Sequence, residues 1–139
     1  MKGLLVWLFC VCLASASTAA DCRTEEFAGN AYTICEVDAA RQQLELFLRD
    51  DAGDVYGYFG TLSAALEAAG KSLGFAMNAG MYHDDRRPVG LYVEGGKQIS
   101  PLVARAGPGN FGLLPNGVLC LSDGRATVWE TRAFQEAAP

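Results

Sequence analysis

A chain of 139 residues allows one domain, and with 50% of them hydrophobic and 19% charged it is neither a disordered tail nor a collagen-like fibre. Eleven Lys and Arg against sixteen Asp and Glu leave a formal charge of −5, which excludes the basic stripe that a general nucleic-acid binder needs. The one histidine, His83, rules out a His-rich metal cage and would have to serve in any Ser-His-Asp triad.

The chain opens as an export leader. Lys2 gives a positive start, Leu4 to Leu13 is an apolar run, and Ala14 to Ala20 supplies small residues for cleavage. The run is too short to span a bilayer of about 30 Å as a stable helix. Residues 1–20 are therefore read as a signal peptide, Cys10 and Cys12 leave with it, and residues 21–139 form the mature domain. The expected location is secreted or periplasmic, with no membrane association after cleavage.

Three cysteines remain in an oxidising compartment. Cys22 and Cys35 enclose a short loop and are the natural disulfide pair. Cys120 is left over, either as a small hydrophobe in a strand or with a partner beyond residue 139.

In chain order, Ala31 to Val37 reads as a strand. Gln43 to Leu48 follows as a half-buried strand, since Leu44, Leu46 and Leu48 alternate with polar residues. Asp50 to Asp54 is a solvated turn, lacking the central glycine and closing glutamate of a calcium loop. Thr61 to Ala69 is a helix with Leu62, Ala65, Leu66 and Ala69 on one face, capped by Thr61 or Ser63 and stopped at Gly70. Leu73 to Met77 reads as a strand. Beyond it, glycines separate short apolar runs: Pro88 to Val93 turning through Glu94–Lys97 into Gln98 to Val103, then Phe111 to Leu114 turning into Val118 to Leu121, and Ser122–Arg125 leading to Ala126–Glu130. The pattern predicts an α+β fold, mainly an antiparallel β-sheet built from hairpins with one or two helices. No nucleotide fingerprint or P-loop motif is present, and neither a metal nor a cofactor is expected.

Chemistry concentrates in Asn78-Ala79-Gly80-Met81-Tyr82-His83-Asp84-Asp85-Arg86-Arg87-Pro88-Val89-Gly90. This segment leaves an apolar run and presents one imidazole, two carboxylates and two guanidiniums in succession. Arg86 or Arg87 suits a phosphate oxygen, Asp84 or Asp85 suits acid–base work, and Asn78 suits sugar hydroxyls. The competing reading is a hydrophilic loop whose opposite charges satisfy one another.

Asn78-Ala79-Gly80-Met81-Tyr82, followed by Pro88-Val89-Gly90-Leu91-Tyr92-Val93-Glu94-Gly95-Gly96, resembles the phosphodiester glycosidase family. Gly107 to Gly117 and Cys22-Arg23 … Tyr32-Thr33-Ile34-Cys35 are similar to its exported bacterial branch. Ala79 stands where the family usually has glycine, and Met81-Tyr82 where it has an aromatic pair. The resemblance implies hydrolysis of a sugar-1-phosphodiester or related glycosidic bond, with a glycan or sugar-phosphodiester as the small-molecule partner. It also implies that this chain is an N-terminal part, since the family's Gln-Ser-Gly, Arg-Asn-Gly and late Asp-Gly segments have no counterpart here.

Within this part, Asn78 is the expected substrate-orienting residue, with Arg87 and Asn110 as further substrate contacts and Asp84 as the candidate catalytic carboxylate. Gly80 and Gly90 are assigned to backbone geometry. The alternative is a non-catalytic envelope module that binds glycan or protein; a truncated, inactive form is a third reading.

Overall fold

The computed structural model describes residues 20–137, so Cys10, Cys12 and all of the expected leader except Ala20 lie outside the described residues. The fold is α+β: three antiparallel two-stranded sheets and two helices, every sheet a local hairpin.

Strand β1 (Asp21–Phe27) pairs with β2 (Asn30–Glu36), in register from Asp21 opposite Glu36 to Phe27 opposite Asn30. Ala28 and Gly29, with φ of 50° and 78°, make the two-residue turn whose twist suits a hairpin. The register sets Cys22 opposite Cys35, and these two form the expected disulfide. On the other face Arg23 pairs with Glu25 at 2.6 Å and Glu36 at 2.5 Å. Strand β1 escapes the sequence pattern because Arg23, Glu25 and Glu26 break any apolar alternation.

The strand expected at Gln43 to Leu48 does not form. Only a single bridge, Arg49 to Val55, closes around the Asp50–Asp54 turn. Alternating leucines favour a face but do not supply a neighbour, and no strand pairs with this segment among the described residues.

Helix α1 (Phe59–Ala68) begins two residues before the expected start. Tyr58 occupies the N-cap position in extended backbone and gives no side-chain cap, so the roles expected of Thr61 and Ser63 are corrected. The Ser63 hydroxyl is instead 3.1 Å from Glu67, one turn on. The stop at Gly70 is as expected: with φ of 72°, its N–H donates to Glu67 O while that of Lys71 donates to Leu66 O. That is the paired closure of a left-handed helix terminus.

Leu73 to Met77 forms no ladder, another departure from expectation. Strands β3 (Tyr92–Glu94) and β4 (Lys97–Ser100) make the second hairpin, shorter than the apolar runs suggest and irregular between Tyr92 and Val93. Gly95 and Gly96, both at positive φ, form its turn. Phe111 to Leu114 is not a strand either: Asn110–Gly112 is a 3-10 turn, and the Leu114–Pro115 peptide is cis. The loop closes on itself through Gly107 N–H to Gly112 O, 3.2 Å. A Cβ on Gly112 would lie 1.9 Å from Gly107 O, so no side chain fits there.

Strands β5 (Gly117–Ser122) and β6 (Arg125–Glu130) form the third hairpin, turning at Asp123 and Gly124. Helix α2 (Thr131–Ala137) follows at once. The Glu130 carboxylate accepts from the N–H groups of Arg132 and Ala133, each at 2.9 Å, which caps the helix. Thr131 is buried and its N–H donates to Asn116 O, tying α2 to the entry of β5.

Leu62 is the single hydrophobic side chain of the described residues that counts as buried. By register Leu119, Leu121, Ala126 and Val128 share one face of the third hairpin, and its leucines and Val128 are exposed. No helix among the described residues is long and apolar enough to cross a membrane.

Candidate functional site

The charged segment folds back on itself as a tight hairpin over residues 81–89. Val89 N–H donates to Met81 O at 3.0 Å, Tyr82 bridges Pro88, and His83 N–H donates to Arg87 O at 2.9 Å. The turn closes through Arg86 N–H to His83 O at 2.8 Å, with Asp84 and Asp85 at its tip. Arg86 itself sits at φ 67°, a left-handed conformation that costs an ordinary side chain about 1–2 kcal/mol.

What offsets that cost is the side chain. The Arg86 guanidinium lies 5.0 Å from the Tyr82 ring centroid and 5.6 Å from that of Tyr58, at the N-cap of α1. Cation–π attraction to two rings holds it half-buried. No carboxylate comes within 4.0 Å of it among the described residues. A cation held by neutral rings keeps its charge available to an anion.

Arg87 is in the opposite situation. Its Nε is 2.5 Å from Asp85 Oδ2, and its N–H donates to Asp85 Oδ1 at 3.1 Å. These bonds hold the Asp85 carboxyl below its ordinary value, the side-chain bond contributing most. The competing reading of self-satisfied charges thus describes the Asp85–Arg87 pair but not Arg86.

Asn78 is exposed and its amide donates to Gly80 O at 3.2 Å, a local turn contact. Asp84 is exposed at the hairpin tip. No hydrogen bond or ion pair joins Asn78, Asp84 and Arg87 to one another. Asn110 opens the 3-10 turn of a different loop. Gly80 has nothing within 4 Å of a built Cβ and no positive φ, so the geometry makes no demand for glycine there. Gly90 is buried, and its lack of a side chain makes room for the Phe111 ring.

Tyr58 and Tyr82 are the residues that sequence reasoning passed over. Tyr82 stood inside the singled-out segment; nothing in the sequence joins position 58 to position 86.

Two other polar features lie apart from this hairpin. Burial raises the Tyr92 phenol well above its ordinary value, reinforced by the charge of Glu94, which also accepts from Leu48 N–H at 3.4 Å. The second is a shallow groove of about 430 Å³ on the third hairpin, lined by Cys120, Ser122, Asp123, Arg125, Thr127 and Trp129. Cys120 is half-buried there as a free thiol.

The uncharacterized protein YigE of Escherichia coli (strain K12) is similar to this chain, 29% identical over 105 residues. The match covers 76% of this chain and 40% of YigE, so the chain spans less than half the length of that relative. No family model and no solved structure matches.

Proposed function

We propose that the chain is the N-terminal part of an exported phosphodiester glycosidase-like protein, acting on a sugar-1-phosphodiester or related glycosidic bond. The observation that carries this reading is Arg86, a guanidinium cradled by Tyr58 and Tyr82 and without a carboxylate partner among the described residues. Such a group offers forked donors to a phosphodiester anion, and exposed tyrosine rings beside it offer a face to a sugar. The family motifs around Asn78 and Gly90 supply the reaction class. Hydrolysis needs a proton donor at the leaving oxygen and a carboxylate or activated water at the anomeric carbon. Asp84 is the exposed carboxylate nearest in sequence to Arg86 that is not tied to Arg87. Export is supported by the N-terminal leader pattern and by the Cys22–Cys35 disulfide.

A second reading, a non-catalytic envelope module, is favoured by one feature: the carboxylate beside Asp84, Asp85, is engaged by Arg87, leaving no facing carboxylate pair at the hairpin. The deciding experiment presents the full chain with a synthetic N-acetylglucosamine-1-phosphodiester and, in parallel, the matching phosphate-free glycoside. Release of sugar from the phosphodiester, lost in Arg86→Ala, supports the enzyme. Binding without turnover, also lost in Arg86→Ala, supports the module. Indifference to both compounds removes catalysis and binding by this chain alone and leaves the truncated, inactive form.

A further inference from the structure

The third hairpin has two unlike faces. Opposite its apolar face, the register sets Cys120 beside Thr127 and Ser122 beside Arg125, with Trp129 next along β6. These five side chains, with Asp123 at the turn, line the groove of about 430 Å³, a volume within the range of small-molecule sites. Trp129, Thr127 and Arg125 alternate along one strand, so the row from indole to guanidinium runs for about 13 Å. The Trp129 side chain is 41% exposed. At the other end, no carboxylate comes within 4.0 Å of Arg125 among the described residues, although Asp123 lines the same groove. The Asp123 carboxylate accepts instead from the Ser122 hydroxyl at 3.0 Å. An apolar layer laid over this face would strip water from a guanidinium, a carboxylate and two hydroxyls, a cost that keeps the face open to polar ligands.

We propose that this groove binds a neutral oligosaccharide, one sugar ring lying on Trp129 and the hydroxyls of its neighbours bonded along Thr127, Ser122, Arg125 and Asp123. An exposed indole offers a flat apolar face, which the C–H face of a sugar ring matches. Beyond it come donors and acceptors in alternation, and hydroxyl groups, which both donate and accept, can answer each of them. Charge selects a neutral occupant. The lining holds one cation and one anion that are not paired with each other. A neutral polyol can accept from Arg125 and donate to Asp123, whereas an anion meets Asp123 and a cation meets Arg125. The length of the row asks for an oligosaccharide rather than a single sugar. This groove and Arg86 belong to separate hairpins, so the proposal stands independently of the phosphodiester reading.

The chain has two tryptophans, Trp7 and Trp129, so fluorescence of the full chain carrying Trp7→Phe reports Trp129 alone. Cellotriose, maltotriose and chitotriose are titrated in turn, and at least one should shift that emission saturably. Isothermal titration with the responding sugar then separates recognition from folding. Trp129→Tyr keeps a flat ring and should bind within ~10-fold of the parent, while Trp129→Ala should lose more. Arg125→Ala should weaken binding about 10-fold, the value of a charge-assisted hydrogen bond. Val128→Ala, on the opposite face, should bind unchanged. No saturable response to any of the three sugars would overturn the proposal, as would an equal response to trialanine or tighter binding of the acidic trigalacturonate. Equal losses in Arg125→Ala and Val128→Ala would overturn it as well.

Discussion

Phe111 and Gly90 claim the same space: a Cβ on Gly90 would fall 2.4 Å from Cζ of the Phe111 ring and 3.2 Å from Cε2. The φ of Gly90 is not in the left-handed region, so the ring rather than the backbone requires glycine. Gly90→Ala should push the ring or the hairpin aside at a cost of about 1–3 kcal/mol. The readout is exchange at the Val89 amide, which is bonded to Met81 O. Adding Phe111→Ala should recover most of the loss, a coupling of about 0.5–3 kcal/mol. Simple additivity of the two changes would contradict the contact.

Arg86→Gly separates the turn from the charge. Glycine at φ 67° relieves the backbone, so the 81–89 hairpin should persist or tighten, seen as unchanged or slower exchange at Arg87 and Val89. Phosphodiester binding should nevertheless weaken about 10- to 100-fold, the value of a charge-assisted hydrogen bond. Arg87→Ala should weaken it less, because Asp85 already holds that guanidinium. Isothermal titration of both variants decides, and a larger loss at Arg87 would move the anion site.

Reduction of Cys22–Cys35 should release the first hairpin. The linked residues are 13 apart, and closing such a loop is worth roughly 3 kcal/mol in the chain-entropy model. Amide exchange across β1 and β2 should accelerate in reductant while α1 stays unchanged. Peptide mapping without reductant should recover Cys22 linked to Cys35, with Cys120 as a free thiol.

The cap on α2 is pH-sensitive. Backbone N–H groups of Ala133 and Arg132 hold the Glu130 carboxyl below its ordinary value of 4.5. The folded value is the lower one, so the cap's contribution is complete above the ordinary value and fades as pH falls through the folded value. Helical chemical shifts of Thr131–Ala137 should weaken with acid in step with the Glu130 carbon titration. Glu130→Gln should flatten that response. A Glu130 titration at or above the ordinary value would refute the cap.

The elements legible in the sequence are those whose cause is local. Gly95-Gly96 and Asp123-Gly124 demand a hairpin turn whatever surrounds them, and Gly70 with Lys71 closes a helix from within. Leu44, Leu46 and Leu48, and the run from Leu73 to Met77, carry strand patterns whose fulfilment depends on a neighbour, and among the described residues none arrives. Strand β1 failed to register for the converse reason: a partner strand and a disulfide order it despite its charges. At the site, the hairpin residues were visible as a cluster. The division of labour between Arg86 and Arg87 was not, because it is set by a tyrosine 28 positions earlier and by the hand of one backbone angle.

The tip of the third hairpin is fixed twice over. Gly124 has φ of 70°, and a Cβ there would also come within 3.2 Å of the Ala40 Cα. The first constraint is met by any residue tolerant of left-handed backbone, such as asparagine; the second asks any side chain to push the Ala40 backbone back by a few tenths of an ångström. Ala40 lies in the Asp38–Gln42 turn just after β2, so this small contact shuts a circuit of more than eighty residues that contains α1 and the 81–89 hairpin. Closing so long a circuit is entropically slow, and it belongs late in folding. Asp123→Asn should therefore leave the folding rate unchanged, whereas Gly124→Asn should keep the turn, loosen the seam and speed unfolding.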